Sequence, residues 1–437
     1  MRKFFGAFLF VLVFQPIRSQ DVMPLENVIA AALRNNYDIL LVRNDSTAVA
    51  LDYAYANAAF LPRLSGNASR VWNNNDQKQN FSDGTKRERN GVKSSNIAAS
   101  VNLNWTLFDG LRMFATKDRL AELVNLGELT VRNQVVNTVA TVINNYYNIV
   151  QQKQQLKAIE EQMSINEERV KLAERKISVG LGSRPELLQA KVDLNAQLAT
   201  RLRQQTLIAQ LVEQLNQLIG QPLTYVFDVS DSIPLNLNLQ YGDLVNNIHA
   251  TNPTLLIAQK NIILSNLSLK ERLAERWPIV SFNSAYNFTQ VDNKAVVNPF
   301  TPLYSQNKGL NFGFAATIPL LNGFNTRRLI RQAQLDVQYQ ELFYNNHRTL
   351  VDVNVSNAFK DYEYQKRALL LEEENIQLAR ENTMIALERF RQGVSTYLEL
   401  REAQKSLEDA YNRLIAARYN TKLAETRLLQ LKGELIR

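Results

Sequence analysis

A mainly helical fold that contributes strands to a small membrane β-barrel is predicted by three observations. The chain is written twice, its helices are too long for a globule, and four short segments alternate apolar and polar residues. Residues 25 to 220 recur in residues 241 to 433, and the repeated unit is helix, two short strands, long helix, helix. Gly110, Gly180 and Gly220 recur as Gly323, Gly393 and Gly433, each 213 positions later. Around them, TLFDG at 106–110 answers PLLNG at 319–323, and VGLGSRPELLQA at 179–190 answers QGVSTYLELREA at 392–403. Upstream, ALRNNYDILL at 32–41 answers HATNPTLLIA at 249–258, now 216 apart. The change of register falls in the loop between the paired strands, where length is least constrained.

The first twenty residues are MRKFFGAFLFVLVFQPIRSQ, in which Arg2 and Lys3 precede an apolar run from Phe4 to Phe14. The run is too short to cross a bilayer, so residues 1–20 read as a secretory signal peptide cleaved near Ser19 or Gln20. No later apolar stretch approaches the roughly 18 residues of a membrane-spanning helix. An exported chain of this kind is soluble or a β-barrel. With no Cys there is no lipid-modified N-terminus, disulfide framework or thiolate metal site. The net charge of +8 includes Arg2, Lys3 and Arg18, which leaves about +5 on the mature chain. Bases and acids are mixed along the helices, a pattern of solvated faces rather than a nucleic-acid footprint. His249 and His347, the two histidines, lack metal-ligand spacing. No phosphate-cradling loop occurs, and Gly180-Leu181-Gly182 lacks the third glycine of a dinucleotide turn. Neither an enzyme nor a metal or cofactor site is expected.

The helices come next. From Leu111 to Val179 there are 69 residues with no Pro and one Gly, and from Phe324 to Gln392 there are 69 with neither. At about 1.5 Å per residue each is a helix of roughly 100 Å, which cannot fold back into one compact core. Within the first, Leu156, Ile159, Met163, Asn166, Val170, Ala173 and Ile177 step by three and four, the spacing of a coiled-coil seam. The return helix carries Leu400, Ala403, Leu407, Ala410, Leu414, Ala417, Thr421, Ala424, Leu428 and Leu431 on the same rhythm. Antiparallel coiled-coil hairpins follow, with helices 111–179 and 185–219 in one, and 324–392 and 397–432 in the other. Gly180 and Gly393 make the reversals at their tips.

Four segments break this rhythm, in strand hairpins at about 61–108 and 278–320. Val101, Leu103, Trp105 and Leu107 oppose Asn102, Asn104 and Thr106. Val280, Phe282, Tyr286 and Phe288 oppose Ser281, Asn283, Asn287 and Thr289, and Leu310, Phe312, Phe314 and Ile318 oppose Asn311, Gly313, Ala315 and Thr317. The segment from Leu61 to Trp72 is only loosely patterned. Alternation over about ten residues is the signature of a barrel with lipid on one face and a lumen on the other. Trp72, Trp105, Phe108 and Trp277 fall near strand ends, where interfacial aromatics sit. Polar loops are expected at Asn73 to Ser95 and Val291 to Lys308. Four strands cannot close a barrel without leaving backbone groups unpaired in hydrocarbon, so copies must share one of eight, twelve or sixteen strands.

These residues, with Asn36 and Asn252 before the short helices, LFDG and LLNG after the strands and VGLGSRPELLQA at the tip, resemble the TolC outer-membrane efflux family over essentially the whole mature chain. The resemblance implies a homotrimer with a twelve-stranded barrel in the outer membrane of a Gram-negative bacterium and an α-helical barrel through the periplasm. Its partners would be outer-membrane lipid, a periplasmic adaptor and an inner-membrane pump. The first repeat would span 21–220 and the second 243–437, and the linker 221–242, with Pro222 and Pro234, would wrap the tube at mid-height. Glu399 and Glu402, with Glu186, fall where the family carries an acidic periplasmic gate. The adaptor-docking tips would be Val179, Gly180, Leu181, Gly182, Ser183 and Arg184, and Gly393, Val394, Ser395 and Thr396 opposite. Some relatives brace the closed tip with an Arg where this chain has Ser395, and with an aromatic hydroxyl where it has Phe390. Read without the resemblance, the helices also suit a soluble periplasmic coiled-coil scaffold, or a structural or adhesive coiled-coil trimer anchored in the outer membrane.

Overall fold

A computed structural model describes residues 22–435, so the signal-peptide reading of residues 1–20 lies outside the described residues. In the first half, α1 (Leu25–Asn35) and α2 (Tyr37–Ala54) lead through a 3-10 turn at Ala56–Phe60 into β1 (Arg63–Asn80) and β2 (Lys86–Phe108). The half ends with α3 (Arg112–Ser178) and α4 (Arg184–Leu218). The second half runs α5 (Tyr241–Val245), α6 (Ile248–Thr251), α7 (Pro253–Ala274), β3 (Ile279–Asn293), β4 (Tyr304–Thr317), α8 (Asn325–Arg391) and α9 (Tyr397–Lys432). The long helices α3 and α8 have 67 residues each, about 100 Å at 1.5 Å per residue.

Contacts divide the chain into two compact units, one of residues up to Asn44 with Thr130–Leu256 and Arg348 onward, the other of Asp45–Leu129 with Ile257–His347. In the first unit, Val28 and Ala32 of α1 pack against Val139, Val142, Tyr146 and Val150 of α3 and Leu211 and Leu215 of α4. Phe227, Val229 and Ile233 of the linker close this core. The Tyr146 hydroxyl donates to the Met23 carbonyl at 3.0 Å and accepts the Ser230 N–H at 3.0 Å, so the buried phenol is satisfied on both sides. Tyr362 holds the other end of the linker, donating to the Asn236 carbonyl at 2.8 Å.

One device is built twice. Asn36 accepts from the N–H groups of Asp38 and Ile39, capping α2, while its amide donates to the Leu218 carbonyl at 2.9 Å at the end of α4. Asn252 likewise caps α7 through the Leu255 N–H and donates to the Leu431 carbonyl at 2.8 Å. Each asparagine thereby serves orphan groups at two helix ends.

Along α9, nine of the ten seam residues read from the sequence are buried, Leu431 being half-buried. On α3 the seam differs. Of Leu156, Ile159, Met163, Asn166, Val170, Ala173 and Ile177 only Asn166 and Ala173 are buried, and the buried stripe is Ala158, Gln162, Asn166, Arg169 and Ala173. An apolar pattern could not single out that stripe, because its central members are polar, and Arg169 among them donates to Gln404 of the facing hairpin.

In the second unit the four strands form one antiparallel sheet in the order β1-β2-β3-β4. The strands run beyond the hydrophobic alternation. Residues 73–80 and 86–95 are paired strand rather than loop, leaving a turn at 81–85, and the second connection shortens to 294–303. Cross-strand hydrogen bonds need no apolar side chains, so hydropathy did not reveal these ends. A register shift between Thr106 and Phe108 makes Leu107 the extra residue and sets Phe108 opposite Val280.

Replacing Asn36 by Ala removes a helix cap and the tie to α4. The expected loss is about 1–2 kcal/mol, read as a lower denaturant midpoint, and Asn252→Ala should match it.

Candidate functional site

Within the sheet, register sorts residues cleanly between two faces. One carries Trp105, Phe282 and Phe314 in a row, then Leu64, Leu103, Ser284 and Phe312, then Gly66, Val101, Tyr286 and Leu310. The other carries Asn104, Asn283 and Gly313, then Ser65, Asn102, Ala285 and Asn311, then Asn67, Ser100, Asn287 and Gly309. The polar face is thus lined by carboxamides and hydroxyls. Leu310, Phe312 and Phe314 on the apolar face are highly exposed in the single chain, although they are large hydrophobes.

Of the aromatics expected at the membrane interface, Trp105 donates its indole N–H to the Phe60 carbonyl at 2.8 Å. Trp277 lies against the Gly110 corner, and Phe108 is at the helix-side end of β2. Trp72 stands toward the hairpin end of β1, with the Arg70 guanidinium 4.9 Å above its ring. The structure therefore sets three of the four at the helix side of the sheet.

The first unit contains both helical tips. At each, a left-handed glycine ends the long helix. Gly180, at φ 76°, donates to the Ile177 carbonyl while Leu181 donates back to Lys176 at 2.8 Å. Gly393, at φ 74°, repeats the pattern with Phe390 and with Val394 to Arg389 at 2.9 Å. Both are Schellman closures, which only glycine adopts without strain. A Cβ on Gly182 would sit 2.7 Å from the Ile177 nitrogen, so that position is fixed by close approach. Leu181 projects at 83 % exposure, and Val179, Val394 and Leu398 are also exposed.

Glu399 has a local task. Thr396 caps α9 by accepting the Glu399 N–H and donates its hydroxyl to the Glu399 carboxylate, both at 3.3 Å. Arg389 stands 3.9 Å from the same carboxylate. Glu402 is exposed and Glu186 half-buried, and among the described residues neither forms an ion pair. Phe390 is buried beneath the Lys176 ammonium, 4.3 Å from its ring centroid, and the Ser395 backbone N–H donates to the Arg389 carbonyl at 3.3 Å.

Sequence reasoning missed a cluster that joins α3 to the α8–α9 hairpin. Arg169, 5 % exposed, donates to Asn166 at 2.8 Å, to Gln404 of α9 at 3.1 Å and to Asp193 of α4 at 3.2 Å. Its guanidinium lies 4.6 Å from the Tyr397 ring centroid, and the Tyr397 hydroxyl donates to the same Asp193 oxygen at 2.7 Å. Farther along, Tyr411 of α9 accepts from Arg380 and donates to Glu161 of α3, both at 2.7 Å, and Arg391 of α8 reaches Glu168 at 2.5 Å. The available signal was an arginine in step with Gln162, Asn166 and Ala173 on one helix stripe.

Burial opposes the Asp193 carboxylate, but donation from Tyr397, Gln189 and Arg169 outweighs it and holds the pKa below the usual aspartate range. Burial, then the bond to Asp193, pushes Tyr397 up.

The duplicated long-helix unit, the open sheet with one apolar face and the glycine-closed tips define a class, the subunit of an outer-membrane channel. The chain belongs to the outer membrane efflux protein family, whose model matches residues 28–221 and 244–434. It is 22% identical over 275 residues to Protein CyaE of Bordetella pertussis, an alignment covering 62% of this chain and 56% of that protein. It is 20% identical over 340 residues to the outer membrane efflux protein BepC of Brucella suis biovar 1, covering 77% of this chain and 72% of BepC. The fold matches the Campylobacter jejuni CmeC outer membrane channel with a TM-score of 0.76 at 16% identity, over 94% of this chain and 85% of that one.

Removing Asp193 strands a buried guanidinium, so Asp193→Ala should destabilise the chain by about 3–5 kcal/mol. The depressed Asp193 pKa stabilises the fold above the unfolded value of about 3.9 and ceases to do so as pH falls through the folded value. The stability gap between the parent protein and Asp193→Asn should therefore be full near pH 7 and shrink below about pH 4, as measured by denaturant titration at each pH.

Proposed function

We propose that the chain is one third of a passive outer-membrane exit duct. Three copies close a twelve-stranded barrel, continue it as a helical tube through the periplasm, and dock at the tips with a periplasmic adaptor and an inner-membrane pump. The pump supplies the energy, so the duct carries no catalysis of its own.

One observation carries the reading: the sheet has a lipid-compatible face and two open edges, β1 and β4. Half of the peptide groups of the 14-residue β4 point away from β3. In hydrocarbon each unpaired group costs several kcal/mol, so one bare edge costs on the order of tens of kcal/mol. No side-chain contact offsets that, and another strand does. The first unit supports the same assembly. On α8, Tyr364, Leu371, Leu378 and Ile385 are all exposed and spaced by seven, a heptad stripe that a neighbouring helix would cover. The count of three and the adaptor and pump follow the architecture of the efflux family.

At the periplasmic end Glu402, with Glu399 and Glu186, forms an acidic ring that favours cations. The residues from Val179 to Arg184 and from Gly393 to Thr396 present the adaptor-facing turns. Closure of the tip rests on the bonds of α3 to the other hairpin through Arg169, Asp193 and Tyr397, in place of the tip Arg that Ser395 lacks.

Light scattering of the detergent-solubilised protein should give three chains, and planar bilayers should show pores. A stable one-chain species without pore activity rejects the duct. Glu399→Gln with Glu402→Gln should raise the anion share of the conductance several-fold, and unchanged selectivity removes the gate assignment. Arg184→Glu combined with a bulky residue at Gly182 should reduce adaptor crosslinking while trimers persist.

A further inference from the structure

The apolar face of the sheet changes character toward the hairpin end. Successive rows lie about 5 Å apart in height, from a strand rise of about 3.3 Å per residue and a tilt near 40°. Above the row of Phe108 and Val280 come four rows dominated by apolar residues, the last pairing Ala68, Ala99 and Phe288 with Lys308. The next aligns Arg70 with Ile97, Gln290 and Gln306, and two rows farther Lys93 stands opposite Asn74. Lys308 and Arg70 thus sit about 20 to 25 Å above Phe108, where an apolar band of about 25 Å ends.

Arg70, Lys93 and Lys308 are exposed, and among the described residues none is in an ion pair, whereas Lys78 nearer the tip is bound to Glu88 at 2.7 Å. The acid in these rows, Asp292, accepts from the Gln290 amide at 2.9 Å. Arg70 rests 4.9 Å from the Trp72 ring centroid, a cation–π contact that holds the guanidinium beside the indole. Lys308 and Arg70 at the limit of the apolar band, with Lys93 about 10 Å farther out on the same face, are costly to leave without anions on a lipid-facing surface and match the phosphates of a headgroup layer. Lys308 is on β4 and Arg70 on β1, the two open edges. Closure of the ring sets those edge strands side by side and brings the bases together at each junction between copies.

We propose that Lys308, Arg70 and Lys93 bind the phosphates of a phosphorylated glycolipid in the outer leaflet, at the seam between subunits. This rests on the barrel reading given above. The shared chemistry is phosphate, and the source is the lipid headgroup rather than a free anion.

The purified full-length oligomer is titrated with a bisphosphorylated glycolipid, with the same lipid after dephosphorylation, and with inorganic pyrophosphate, and bound lipid is counted by native mass spectrometry. The parent protein should retain the phosphorylated lipid at least ten-fold more than the dephosphorylated one, and pyrophosphate should not displace it at equal concentration. Each base near an anionic surface is worth about a factor of five, so Arg70→Gln with Lys93→Gln and Lys308→Gln should bind about 100-fold more weakly. Equal retention of the two lipids by the parent protein overturns the proposal without reference to any variant. So does unchanged binding by the triple variant, or displacement by pyrophosphate. Vesicle flotation separates the two readings: a protein that floats but fails these arms removes the lipid site alone, and one that does not float removes the barrel with it.

Discussion

A peptide group in hydrocarbon has no water to bond, and most of this architecture follows from that fact. The four-stranded sheet satisfies its interior and leaves β1 and β4 bare, so the chain cannot be a finished object in a membrane. Everything that reaches the sheet must suit a ring of copies. That explains why the strands are inserted in the middle of each repeat and flanked by helices at both ends. It also explains how α8 can carry a heptad stripe of large side chains that stays exposed among the described residues.

Much of this was legible in the residues. Duplicated glycines located the left-handed ends of α3, α4, α8 and α9, and the 3.5-residue rhythm of α9 named its buried face almost completely. Alternation gave the central parts of β2, β3 and β4 and sorted their residues between an apolar and a polar face. What stayed hidden depended on partners. The strand ends at 73–80 and 86–95 are made of Asn, Lys, Arg and Gln, which fit a water-exposed ribbon as well as a loop, so only the pairing partner decides. The α3 seam was obscured for a related reason. Half-buried Leu156 and Ile159 follow the apolar rhythm, while buried Gln162 and Arg169 follow the geometry of the facing hairpin.

The polar character of that α3 seam bears on mechanism. An apolar coiled coil gains stability with buried area and has little reason to separate. The Arg169–Asp193–Tyr397 contact depends instead on desolvated charge held by specific hydrogen bonds. Its parts are strongly favoured together, and each can be rehydrated once water enters, because every member is polar. In the proposed duct, a tip that must be tight at rest and separable on docking is better served by such a contact than by another row of leucines. The Ala-rich seam of α9, at Ala403, Ala410, Ala417 and Ala424, provides the permanent packing beside it.

The duplicated corners bear independently on ring closure. Gly110, between β2 and α3, lies so close to the α7–β3 corner that a Cβ would stand 2.4 Å from the Ala274 carbonyl and 2.9 Å from the Trp277 side chain. The first repeat's strand-to-helix corner therefore abuts the second repeat's helix-to-strand corner. Gly323 is the same residue in the second repeat, between β4 and α8, and nothing lies within 4 Å of its Cβ position. By the symmetry of the duplication its neighbour would be the α2–β1 corner, which in one chain is at the opposite edge of the sheet. A repeat that keeps the glycine but lacks the neighbour is what a ring predicts, with the missing corner supplied by the next copy.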